Sequence, residues 1–80
     1  MITLYVRSRC PYCAKVMEML EREIGEDFTV RFISKPENRT EVEKGGKLQV
    51  PYMVDEKTNT SLYESDDIIS YLKKQYESSS

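Results

Sequence analysis

Residues 2–6, Ile-Thr-Leu-Tyr-Val, put apolar or β-branched side chains on both sides of an extended segment, which is stable only where both faces are covered. Such a strand belongs inside a sheet with something packed above and below it. The polar run Arg7-Ser8-Arg9 ends it, and from Pro11 to about Ile24 the apolar residues Cys13, Met17, Leu20 and Ile24 recur at i, i+4, i+7 and i+11. That spacing is the stripe of an amphipathic helix, opened by a proline in its first turn and closed by Gly25. Phe28, Val30 and Phe32 then alternate with Thr29 and Arg31, as in a strand near a sheet edge with one face buried and the other partly wet. Strand, crossover helix and strand in one sheet make a right-handed βαβ unit.

After Pro36, residues 38–44 are helix formers with Val42 as their firm apolar anchor, which predicts a short helix ended by Gly45-Gly46. Residues 50–54 and 61–63 read as the two strands of a hairpin around the polar turn from Asp55 to Thr60. Ser65-Asp66-Asp67 offers an N-cap hydroxyl and two first-turn carboxylates to a last helix with Ile68, Ile69, Leu72 and Tyr76 on one face. This ββα unit shares its sheet with the βαβ unit, so an α/β fold with one mixed four-stranded sheet and helices on both faces is expected. The chain has 80 residues, room for a single core. One domain is expected over residues 1–77, with 78–80 as a flexible tail.

Lys and Arg total 12 against 14 Asp and Glu, a net charge of −2. No general electrostatic attraction to nucleic acid or an anionic membrane follows from that balance, and neither partner is expected. The apolar start of the chain is too short for a signal-peptide core or a membrane span, which makes the cytoplasm the expected compartment. Histidine is absent, so His-based triads, bases and metal ligands are excluded. Both cysteines, Cys10 and Cys13, lie in one tetrapeptide, and a bridge between them closes too small a loop to staple a fold. They serve chemistry or metal, unless they are inert buried thiols. A Cys-x-x-Cys pair is half of a tetrahedral zinc site, and no second pair completes it.

Cys10-Pro11-Tyr12-Cys13 stands where a predicted strand gives way to a predicted helix. A sulfur at a helix N-cap is favoured as thiolate by unpaired backbone N–H groups and the positive end of the macrodipole, with Arg7 and Arg9 adding positive potential. Cys10 is therefore the candidate nucleophile. Three residues on, Cys13 comes back to the same side of the helix and begins the apolar stripe, shielded from solvent and close to Cys10. It is the candidate resolving thiol: after Cys10 attacks a substrate disulfide, Cys13 attacks Cys10 and releases the reduced substrate.

These residues carry a resemblance. Cys10-Pro11-Tyr12-Cys13 after a first strand, Val50-Pro51 further on and Ser65-Asp66-Asp67 opening the last helix resemble the glutaredoxins, over the chain to about residue 76. The resemblance implies a thioredoxin-like fold and a monomeric dithiol enzyme that reduces protein disulfides and glutathione mixed disulfides. It implies glutathione as co-substrate, no tightly bound cofactor or metal, and disulfide-containing or glutathionylated proteins as partners. It also implies that Pro51 follows a cis bond and faces the cysteines. Val50 then pairs through its backbone with the cysteinyl part of glutathione, while Ser65 and Asp66 hold its γ-glutamyl end. Tyr12 lies over the bound thiol, and Arg7, at a position where the family often keeps a lysine, meets the glycyl carboxylate with Arg39 assisting. The chain departs from many glutaredoxins in having Tyr63-Glu64 where they carry a Gly-Gly pair. Leu62-Tyr63-Glu64-Ser65 instead resembles the N-terminal domain of glutathione transferases, with Glu64 and Ser65 at the γ-glutamyl group. Two further readings stay open: a thioredoxin-like reductant served by a flavoprotein reductase, and a dimer sharing an iron–sulfur cluster through Cys10 and two glutathiones.

Overall fold

The computed structural model describes residues 2–76; the expected tail at 78–80 lies outside the described residues. The apolar segment at the start forms β1 (Ile2–Val6), and the amphipathic stripe forms α1 (Pro11–Ile24). The chain continues through β2 (Phe28–Phe32), α2 (Pro36–Glu43), β3 (Tyr52–Asp55), β4 (Thr60–Leu62) and α3 (Ser65–Tyr76). The strands lie in the order β2-β1-β3-β4, with β1 parallel to β2 and antiparallel to β3, and β3 antiparallel to β4. This is the expected βαβ unit joined to a ββα unit in one mixed sheet. β1, apolar on both faces, is in the interior, and β2 is at an edge.

Alternation along the strands divides the core in two. Ile2, Leu4 and Val6 of β1 and Met53 of β3 pack with Cys13, Val16 and Leu20 of α1 and Ile68 and Leu72 of α3. On the opposite face Tyr5 and Tyr52 pack with Val42 of α2 and with Ile33, Val54 and Tyr63. Gly25 closes α1 with φ 69°, a left-handed conformation that glycine adopts without a Cβ clash, and its N–H reaches Glu21 O at 3.1 Å. Among the described residues no helix is long and apolar enough to cross a membrane.

Several expectations shift by a residue or a face. The buried face of α1 is Cys13, Val16, Met19 and Leu20, while Met17 and Ile24 are only half-buried, because α1 packs against α3 as well as the sheet. Phe32, expected on the buried side of β2, is 43% exposed at the end of the edge strand. β3 begins at Tyr52 rather than Val50, as Pro51 has no N–H to give to a ladder. β4 stops at Leu62 because Tyr63 turns its ring beneath α2, where its hydroxyl donates to Val42 O at 2.7 Å. α2 starts earlier than expected, at Pro36, and is anchored by Asn38 as well as Val42: the buried amide donates from Nδ2 to Phe32 O at 2.9 Å. At α3 the cap moves back one residue. Ile68 N–H bonds to Glu64 O at 2.8 Å, so Glu64 holds the cap and Ser65 the first helical turn.

Candidate functional site

Cys10 sits at the amino end of α1, between a turn at Ser8-Arg9 and the helix. Arg9 has φ 58°, a left-handed conformation uncommon for a side chain of this kind, and Cys10 follows in extended conformation with φ −108° and ψ 106°. Such a conformation is what an N-cap requires, and the sulfur takes the role a serine oxygen usually fills: Cys13 N–H donates to Cys10 Sγ at 3.2 Å. Cys10 O also accepts the first helical bond, from Ala14 N–H at 3.0 Å. The sulfur of Cys10 thus receives one of the orphan amides of the helix.

Both cysteines are free thiols. Cys13 is 2% exposed, and burial, followed by a hydrogen bond with the Cys10 side chain, pushes its thiol up to about 12, although the backbone and charge of Arg7 act the other way. It therefore stays protonated at neutral pH. Cys10 is also well covered, 7% exposed, and both cysteines form part of the wall of an open cleft of about 480 Å³ together with Arg7, Arg9, Pro11, Met17 and Phe32.

A second cleft, of about 310 Å³, lies beyond Tyr12. Its lining brings together five residues singled out in the sequence: Tyr12, Val50, Pro51, Ser65 and Asp66. Tyr12 is exposed on α1, Pro51 is buried after a cis Val50-Pro51 bond, and Ser65 and Asp66 open α3, whose N-terminal amides and dipole favour an anion. Arg7 is not among them; it lines the first cleft beside Cys10. Arg39, on α2, lines neither of these two clefts.

Gln49, Tyr63 and Glu64 complete the second cleft. Glu64 was legible through the Leu62-Tyr63-Glu64-Ser65 run. Gln49 was missed, and the signal that marks it is its position directly before Val50-Pro51. Gln49 Nε2 donates to Glu64 Oε2 at 2.9 Å, which ties the loop before Pro51 to the cap of α3. Tyr63 holds the same loop from behind, since its hydroxyl accepts from Lys47 N–H at 3.2 Å and its ring stacks on Tyr52 with centroids 4.5 Å apart. Among the described residues no group of three His, Cys, Asp or Glu side chains is placed to hold a metal ion.

Residues 4–80 match the family model described as the glutathione S-transferase N-terminal domain. A search of the curated proteins returns no significant match. Among solved structures, a thioredoxin-like protein superposes with a TM-score of 0.79 at 17% identity, over 92% of this chain and 96% of its own. A glutathione S-transferase from the Antarctic clam Laternula elliptica gives 0.72 at 29% identity, over 95% of this chain and 35% of its own, so the chain spans about a third of that transferase. A glutaredoxin from Brucella melitensis gives 0.67 at 26% identity, over 92% of this chain and 79% of its own. The fold is the thioredoxin-like α/β fold.

Proposed function

Because the chain belongs to the glutathione S-transferase N-terminal domain family, we propose that it is a glutathione-dependent thiol–disulfide oxidoreductase that uses Cys10 as nucleophile and Cys13 as resolving thiol. The observation that carries this reading is the Cys13 N–H donated to Cys10 Sγ at the start of α1, with a protonated second thiol one turn away. The similar glutaredoxin and transferase structures support glutathione as the small-molecule partner.

In the reductive half, Cys10 Sγ attacks as thiolate on one sulfur of a substrate disulfide. The substrate S–S bond breaks, a Cys10–substrate disulfide forms, and the other sulfur leaves as thiolate and takes a proton. Cys13 then loses its proton, attacks Cys10 Sγ and releases the second substrate thiol, which leaves a Cys10–Cys13 disulfide. Two glutathione molecules restore the dithiol: one forms a mixed disulfide with Cys10, and the second displaces Cys10 and departs as glutathione disulfide. Two electrons pass from two glutathione thiols to the substrate. The donor binds in the cleft of Val50, Pro51, Ser65 and Asp66, where the α3 N-terminus receives its γ-glutamyl carboxylate, the Asp66 side chain its ammonium and Val50 its backbone, with Tyr12 over the thiol. The chain acts as a monomer in the cytoplasm on disulfide-containing or glutathionylated proteins.

Reduction of hydroxyethyl disulfide tests this reading. Turnover supported by glutathione is expected; turnover supported only by a thioredoxin reductase system transfers the role of donor to a flavoprotein, and turnover with neither ends the oxidoreductase reading.

A further inference from the structure

The proposed glutathione cleft leaves the larger cleft unused. The two share no lining residue; the exposed Tyr12 lines the smaller and Pro11, its neighbour in the chain, the larger. Its floor is apolar: Ala14 and Met17 of α1 face Phe32, which the sheet edge leaves 43% exposed. Phe32 is held in place from both sides, by its pairing with Val6 and by the Asn38 amide on its carbonyl. At the rim stand Arg7 and Arg9, both exposed, and neither makes an ion pair among the described residues. In a chain of net charge −2, this is a local positive edge to an apolar cleft that has the sulfurs of Cys10 and Cys13 in its wall.

We infer that this cleft seats the polypeptide half of the Cys10 mixed disulfide, taking an apolar side chain next to the substrate cysteine against Phe32 and Met17 and an adjoining carboxylate against Arg7 and Arg9. The inference rests on the oxidoreductase reading above and names its substrate class: acidic polypeptides with an apolar residue beside the reacting cysteine. Charge complementarity selects this occupant, since two unpaired guanidinium groups favour a carboxylate and repel a lysine. An apolar side chain entering the cleft removes Phe32 from water, a gain available to a peptide and not to a small hydroxyethyl group.

The experiment uses symmetrical disulfides of four short single-cysteine peptides, which combine Leu or Ser with Glu or Lys beside the cysteine, and hydroxyethyl disulfide as reference. The Leu/Glu peptide is expected to give a kcat/KM about tenfold above the Ser/Lys peptide, the size of one well-buried apolar contact. Phe32→Ala is expected to erase the Leu over Ser preference and Phe32→Leu to retain it, while both leave hydroxyethyl disulfide reduction within about twofold. Higher salt narrows the Glu over Lys preference. Equal rates for all four peptides, the result if the cleft instead seats another part of a longer chain, overturn the inference, as does a preference that survives Phe32→Ala. In either case reduction of hydroxyethyl disulfide by the unaltered protein shows that the oxidoreductase reading stands; its absence overturns that reading and the inference with it.

Discussion

Cys10 and Cys13 are chemically identical and three residues apart, and their surroundings give them different work. Both line the open cleft and both pack in the core cluster, but Cys10 Sγ accepts an amide of the helix terminus, whereas Cys13, 2% exposed, keeps its proton to about 12, first because it is buried and then because it bonds to Cys10. Cys10→Ser is therefore expected to abolish glutathione-supported reduction of hydroxyethyl disulfide. Cys13→Ser is expected to keep that activity, because external glutathione resolves the Cys10 adduct, and to lose intramolecular release of protein substrates. Steady-state assays of both variants check the division of labour, and equal losses contradict it. Asp66 lies in the second cleft and is exposed, so its attraction for an ammonium is that of a surface ion pair, about 1 kcal/mol. Asp66→Ala is expected to raise the KM for glutathione up to about fivefold with kcat little changed; an unchanged KM removes Asp66 from the site.

At the scale of elements, the parts legible in the sequence were those with a strong period or a clear stop. β1 with apolar residues on both faces and α1 between Pro11 and Gly25 stand where their patterns put them, and the hairpin and α3 with its acidic first turn do so to within a residue or two at their ends. What was not legible depends on contacts distant in sequence. The buried face of α1 is rotated because α3 lies against it, Phe32 is exposed because β2 has no outer neighbour, and Tyr63 leaves β4 for a carbonyl on α2. Asn38 gave no sign of being an anchor, since its partner is the end of a different element. The candidate site was legible to the extent that it lies in short motifs, and Gln49, a side chain placed only by the fold, was not. Another such contact fastens α3 to the sheet. Asp55, fully buried at the end of β3, accepts from Lys57 N–H at 3.0 Å and from the Tyr71 hydroxyl at 2.6 Å, and Thr58 shares that hydroxyl. Tyr71→Phe removes one donor from a buried carboxylate and is expected to lower stability by about 1–3 kcal/mol in urea unfolding, with the thiol chemistry unaffected. A change below the error of the measurement contradicts the role of this contact.

Over the whole molecule, the proposed redox chemistry is linked to stability because both thiols are part of the core. A group whose folded-state pKa lies above its unfolded value stabilises the fold fully below the unfolded value and loses that contribution as the pH rises through the folded one. Cys13 rises from an ordinary 9.0 to about 12, and Tyr5 and Tyr71 are both raised from 10.0 chiefly by burial. Stability of the reduced protein is thus expected to hold up to about pH 9 and to decline above it, with Cys13→Ala delaying the onset of the decline; urea midpoints measured from neutral to alkaline pH check this. The proposed plan uses two clefts, an apolar one that Cys10 lines for a polypeptide and a polar one beyond Tyr12 for a small zwitterionic thiol. That plan needs Cys10 to exchange with glutathione. Incubation of the Cys13→Ser protein with glutathione disulfide, followed by peptide mapping in a mass spectrometer, measures that exchange directly. One glutathione per chain, attached at Cys10, is the expected product; a chain that remains unmodified under conditions where free cysteine reacts contradicts the assignment.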